Sequence, residues 1–383
     1  MKRPLAGVGG RLLLCCALAV GAVPVVARAP ASHHVVAHPA AKPATKDPFV
    51  PSRAIVADLQ HIVAPDGVQE TFTATLGGAR QIVNVRGADR ANPILLFIHG
   101  GPGSTEMPMA WTFQRPWEEF FTVVQWDQRG AGRSYPLSDP KALAPTMTLD
   151  RYRDDTIELI ELLRRKYGKR KIVLLGHSFG SAVGLAVAAK RPDLLYAYVG
   201  MGQLIDWHEN ERRGFDWTLA QARAAHNTKA IRELEALQPY PGVGPLALDR
   251  LSAERKWSIH YGALAAYRSN TDFYFDIRQL SPDYSPADLK AAAAGSQFTI
   301  TTMLPRLTDS FRDLHQLRVP IILFEGRHDY TTPWPIADAW MKQLSAPSKR
   351  IVWFENSAHL PMIEEPGHTL KALLDYVQPL TTQ

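Results

Sequence analysis

"LLGHSFGSAVG", residues 174–184, decides the fold. A buried-looking run, "KIVLLG", ends at Gly176, and Ser178 stands between Gly176 and Gly180 before an Ala-rich stretch with helical composition. A strand that turns at once into a helix bends its backbone sharply, and small flanking residues relieve the crowding. The pattern Gly-x-Ser-x-Gly in that setting is a nucleophile elbow, which lifts a serine hydroxyl to the edge of a sheet. It also points the following N–H groups, at a helix N-terminus, toward any negative charge forming there. A plain packing turn with small residues is the alternative reading, so the remainder of the chain must supply partners for the hydroxyl.

Similar apolar runs recur on both sides. "TFTATLGGARQIVNVRG" (71–87) reads as two strands around Gly77–Gly78. "PILLFIHG" (93–100), "FTVVQWDQ" (121–128), "YAYVGMG" (196–202), "PIILFEG" (320–326) and "RIVWFEN" (350–356) follow. These runs are continuous rather than alternating, as expected for strands covered on both faces. Between them, "TLDRYRDDTIELIELLRRKYG" (148–168) places Tyr152, Ile157, Ile160, Leu163 and Tyr167 on one helical stripe, with Gly168 as its stop. Strand–helix alternation predicts an α/β fold, a mostly parallel sheet flanked by helices. The rhythm breaks over 203–313, a helical, aromatic and charged stretch read as an inserted helical cap between two core portions, 51–202 and 314–383.

The N-terminus reads differently. Lys2, Arg3 and Arg11 precede a 15-residue apolar run, Leu12–Val26, and then "ARAPAS". This is the layout of a secretory signal over residues 1–31, which predicts export to the periplasm or medium. An uncleaved anchor is the alternative, although the run is short for a membrane span. Cys15 and Cys16 lie inside it, so the mature chain would have no cysteine and no disulfide. Loss of Lys2, Arg3, Arg11 and Arg28 lowers the formal charge from +6 to +2, and no dense basic stripe marks a nucleic-acid partner. Residues 32–50 form an Ala- and Pro-rich lead-in whose His33, His34 and His38 carry no metal-site spacing.

A serine needs a base, and the base needs an acid to orient it. With an elbow of this kind the order is Ser, then Asp or Glu, then His. Asp329 follows "IILFEG" and His359 follows "IVWFENSA", each just beyond a strand end on the same sheet edge as Ser178. Glu325 (inside a strand run), His328 and His368 are the rivals. A second backbone donor would come from "HGGPG" (99–103), so Gly101 and Phe179 N–H groups are the expected oxyanion hole.

"HGGPG", "WDQRGAGRS" (126–134), "GHSFGS" (176–181), "EGRHD" (325–329) and "SAHLPMIEEP" (357–366) resemble the prolyl aminopeptidases, or proline iminopeptidases, of the α/β-hydrolase fold. The resemblance covers roughly 71–202 and 314–380. It implies a cofactor-free, metal-independent serine peptidase with Ser178 as nucleophile, His359 as base and Asp329 as its acid. It also implies release of N-terminal residues, proline favoured, from small peptides, and it gives Asp127 and Arg129 a loop-shaping role. The elbow departs from the usual pattern, which is similar to "GGSWGS"; here His177 and Phe179 flank the serine. An aminopeptidase must also recognise an ammonium group. "GQLIDWHENERRGFDW" (202–217) offers Glu209 and Asp206 for that role, the alternative being pairing with Arg212 and Arg213. An esterase, lactonase or aryl-amide hydrolase with the same triad, and a non-catalytic binding protein, are the competing readings.

Overall fold

The apolar runs become the strands of one eight-stranded sheet in the computed structural model, which describes residues 47–382. The leader, both cysteines, and His33, His34 and His38 lie outside the described residues. β1 (Val68–Leu76) and β2 (Ala79–Gly87) form a hairpin about Gly77 and Gly78, whose φ values of 51° and 75° are those a tight two-residue turn demands. β3 (Ile94–Ile98), β4 (Thr122–Asp127), β5 (Ile172–His177), β6 (Leu195–Met201), β7 (Ile321–Gly326) and β8 (Lys349–Phe354) complete the sheet. Its order is β1-β2-β4-β3-β5-β6-β7-β8, antiparallel from β1 through β4 and parallel from there on.

Every residue of β3, β4, β5 and β7 is buried, because both faces are covered. The two faces separate by strand parity. Ile94, Leu96 and Ile98 pack with Leu159, Ile160 and Leu163 of the helix Leu149–Tyr167 and with Val183 and Val187 of the helix Phe179–Lys190. Leu95 and Phe97 face the other way, onto Phe113, Trp117 and the C-terminal Leu373 and Val377. The helix 149–167 begins at a Thr148 cap and stops at Gly168, with φ 65°. Its buried stripe holds Tyr152, Leu159, Ile160 and Leu163, while Ile157 and Tyr167 are only partly covered. A charged residue, Asp155, sits within that stripe because Arg129 meets it from the loop after β4, at 2.8 Å.

Between β6 and β7 the described chain is helical: Trp207–Ala224, Thr228–Glu235, Leu248–His260, Asp272–Asp276 and Pro286–Met303. Residues 47–50, read from sequence as part of the lead-in, belong to the folded portion. Asp47 pairs with Arg53, and the first helix begins at Val50.

Close approach of backbone to backbone fixes the turn after β5. A Cβ at Gly180 would lie 2.2 Å from the Ile98 carbonyl oxygen, and one at Gly176 would lie 2.3 Å from that of Gly180. Neither obstacle can swing aside. Gly180→Ala should therefore destabilise the protein by about 1–3 kcal/mol or more through overpacking. Thermal unfolding would read this as a melting point lower by several degrees, and an unchanged melting point would contradict the packing described.

Candidate active site

Strand β5 ends at His177, and the next residue, Ser178, has φ 55° and ψ −124° before the helix Phe179–Lys190 begins. Positive φ at a non-glycine residue is uncommon and marks an enforced turn. Ser178 N–H donates to the Met201 carbonyl at 2.9 Å, which ties the elbow to the end of β6. The loop after β3 presses on it from the other side, since a Cβ on Gly100 would lie 2.8 Å from Ser178 Cβ and 3.4 Å from its Oγ.

Asp329 lies in a turn closed by its own N–H on the Gly326 carbonyl, 3.1 Å. Its carboxylate is fully buried and accepts three hydrogen bonds, from Thr332 N–H (2.8 Å), Thr332 Oγ1 (2.9 Å) and His359 Nδ1 (2.8 Å). Donation from Nδ1 to a carboxylate leaves His359 Nε2 as the acceptor nitrogen, the form a general base needs. The ring lies over Gly202, whose Cβ, if it had one, would be 3.0 Å from His359 Nδ1 and Cε1. Its loop approaches β7 just as closely, for a Cβ on Gly326 would meet the Ala358 carbonyl oxygen at 1.9 Å. The sequence-predicted acid and base are thus brought together at the strand ends of β6 and β7. Among the described residues no hydrogen bond joins Ser178 Oγ to His359 Nε2, while His359 Nδ1 is held by Asp329.

Phe179 and Gly101 carry the expected oxyanion donors. Phe179 N–H is the first of its helix and has no intrahelical acceptor. Gly101 is exposed and has φ 112°, on a loop that rests against Ser178 through Gly100. The loop is braced by His99, which is buried: its Nδ1 donates to the Gly100 carbonyl at 3.0 Å, and its Nε2 accepts Gln128 N–H at 3.2 Å. Burial pushes the His99 pKa down, consistent with that neutral form.

Three further groups hold the site, and of their residues only His177, beside the serine, was noted from sequence. Thr332 clamps the acid. Glu106 and His177 form a buried pair, with His177 Nδ1 2.9 Å from Glu106 Oε1 and Nε2 2.8 Å from the His359 carbonyl oxygen. The other Glu106 oxygen accepts Gly100 N–H at 3.3 Å. One ion pair thereby links the loop after β3, the elbow and the backbone of His359. Both His177 nitrogens face acceptors, which calls for the doubly protonated ring. Burial works against that charge, but the Glu106 hydrogen bond and charge, the His359 carbonyl and Asp329 outweigh it and raise the His177 pKa. Glu364 grips the base loop itself, accepting N–H groups from Ala358 (3.0 Å), Leu360 (3.2 Å) and Ala266 (2.6 Å).

The remaining candidates are placed elsewhere. Glu209 pairs with Arg212 at 2.7 Å, with Arg213 at 2.5 Å and with Arg312 at 3.6 Å, and the two nearest arginines hold its pKa down to about 2. Asp206 caps its helix by accepting Glu209 N–H and meets Arg312 at 3.2 Å. Pairing with neighbouring arginines, weighed from sequence as the alternative, is the arrangement present. Glu325, the rival acid, is buried within β7, where burial and the Asp329 charge push its pKa well up. His328 meets Tyr267 at the surface, and His368 lies against Phe354 beside Glu365. Asp127 accepts from Thr105 Oγ1, Arg133 N–H and Tyr284 hydroxyl, and Arg129 binds Asp155 and the Leu76 and Gly77 carbonyls. Both shape loops.

A family model described as alpha/beta hydrolase fold matches residues 93–366. A "Probable aminopeptidase YbaC" of Bacillus subtilis is 31% identical over 76% of this chain and 91% of its own length. A "Proline iminopeptidase" of Saccharolobus solfataricus is 25% identical over 78% of this chain and 87% of its own. Among solved structures, a proline iminopeptidase of Mycobacterium smegmatis superposes with a TM-score of 0.57 at 18% identity, covering 82% of this chain and 99% of its own, a likeness of fold.

The protonation of His177 is directly observable. Nitrogen-15 shifts at neutral pH should show both ring nitrogens of His177 protonated, and a ring with one bare nitrogen would contradict the pairing. Glu106→Gln leaves a buried charge uncompensated and should cost about 3–5 kcal/mol. Because the His177 pKa is raised, the pair contributes fully below the ordinary value of 6.5 and its contribution fades as pH climbs through the raised one. The stability difference between wild type and Glu106→Gln should shrink accordingly in alkaline urea titrations.

Proposed function

The chain belongs to the α/β-hydrolase family, and from that premise we propose that it is a serine hydrolase that releases N-terminal residues, proline favoured, from short peptides. The observation that carries the reading is the buried Asp329–His359 hydrogen bond at the strand ends beside the strained Ser178 turn. Ser178 Oγ attacks the scissile carbonyl while His359 Nε2 takes its proton, and Asp329 holds the imidazole and balances its charge. Phe179 and Gly101 N–H groups receive the oxyanion. Collapse passes the proton from His359 to the leaving amine and leaves an acyl-Ser178, which water clears by the same base. The approach of His359 Nε2 to Ser178 Oγ belongs to the substrate-bound state, as catalytic hydrogen bonds often tighten only there.

The aminopeptidase names of the relatives support the peptide half of the reading. A second reading, an ester or aryl-amide hydrolase with the same triad, is favoured by one observation: Glu209 and Asp206 are already neutralised by arginines. Export after removal of residues 1–31 remains part of the proposal and rests on the leader alone.

Ser178→Ala should lower turnover by about a millionfold while leaving the melting point within a degree or two, and retained hydrolysis would overturn the serine assignment. Prolyl aryl amides with and without an N-acyl block separate the two readings. A free amine should be required for fast turnover, whereas equal rates on blocked substrates, or a strong preference for simple alkyl esters, would select the ester hydrolase.

A further inference from the structure

The loop after β3 continues past the oxyanion donor to Ser104, whose N–H donates to the Gly100 carbonyl at 3.1 Å. Residues 272–280 of the insertion pack on this loop. Arg278 Nη2 reaches Ser104 Oγ at 3.4 Å, and the guanidinium lies over the rings of Tyr274, at 4.9 Å, and Phe275, at 5.1 Å. Tyr274 is buried beneath that guanidinium, and burial, with the Glu106 charge, pushes its hydroxyl pKa up to about 12. Tyr274 shares an apolar cluster with Met109, Ala265 and Leu360, the residue after His359. Arg278 and Ser104, with Tyr274 beneath the guanidinium, therefore stand on the loop that carries Gly101.

Their charge is unbalanced. Ser104, Tyr274 and Arg278 are hydrogen-bond donors, and Arg278 makes no ion pair among the described residues. Its Nε is buried with no hydrogen-bond partner. Glu106, on the same loop as Ser104, is already engaged by His177 and Gly100 N–H. Most other arginines flanking this region have an acidic partner: Arg129 has Asp155, Arg133 has Asp127 and Arg86 has Glu118.

We propose that Arg278, with Ser104 and Tyr274, forms a carboxylate-binding subsite beside the oxyanion loop, selecting substrates that carry a carboxylate a few bonds from the scissile carbonyl. One guanidinium backed by two hydroxyls suits a singly charged, planar anion. This deepens the peptide reading, where that group is the free C-terminus of a dipeptide or tripeptide. The same chemistry would select a half-ester of a dicarboxylic acid if the enzyme acts on esters.

Two matched pairs test it: prolylglycine against prolylglycinamide, and p-nitrophenyl hydrogen glutarate against p-nitrophenyl butyrate. Wild-type enzyme should favour the charged member in kcat/KM by about tenfold or more. Arg278→Gln should bring that ratio to within about twofold, chiefly through KM, and Arg278→Lys should restore part of it. A wild-type ratio near one in both pairs overturns the subsite, even if the variants fail to fold. A folded Arg278→Gln enzyme with an unchanged ratio overturns it as well. Preference in the ester pair alone, with neither peptide cleaved, leaves the subsite standing and removes the peptide reading.

Discussion

Everything in the site depends on holding Ser178 in a backbone conformation that costs about 1–3 kcal/mol in an unconstrained chain. Three surrounding pieces hold it. The Met201 carbonyl takes its N–H, the end of β3 packs on Gly180, and Gly100 presses on its side chain. Those contacts place the loop after β3 beside the first N–H of the helix Phe179–Lys190. The position of the two proposed oxyanion donors thus follows from the same packing that strains the serine.

The parallel sheet was legible because its strands are continuous apolar runs ending in Gly or in a polar residue, and burial on both faces demands that composition. Asp329 and His359 were legible for a related reason: each lies just beyond such a run, so strand order alone aligns them. Thr332, Glu106 and Glu364 were not, since each acts through a contact made only after folding. Glu106 lies 71 positions from His177, and nothing in its local sequence announces the pair. The same applies to Glu209 and Asp206. The i+3 and i+4 arginines of Glu209, Arg212 and Arg213, are visible in the sequence, but Arg312 arrives from the far end of the insertion to engage both acids. Asp155 broke the apolar stripe of its helix for an equally non-local reason, a guanidinium supplied by Arg129.

Charge is distributed in the core by pairing rather than by exclusion. Asp155 with Arg129 and Arg151, Glu118 with Arg86, and Glu211 and Glu254 with Arg255 are buried acids matched to bases. Near the catalytic side chains the pattern changes. Glu325 is buried without a basic partner among the described residues, and burial together with the Asp329 charge pushes its pKa well up.

The chain between β6 and β7 is sewn to the loops of Asp329 and His359 by hydrogen bonds: His359 N–H to the Leu264 carbonyl, Ala266 N–H to the Glu364 carboxylate, and Tyr330 N–H and Thr331 hydroxyl to the Ala263 carbonyl. A lid fastened so close to the catalytic imidazole is not free to hinge open at that seam. Swinging it away would drag the general base with it. The insertion and the His359 loop are thereby held as one piece, which fixes the aim of that imidazole at the expense of a wide opening.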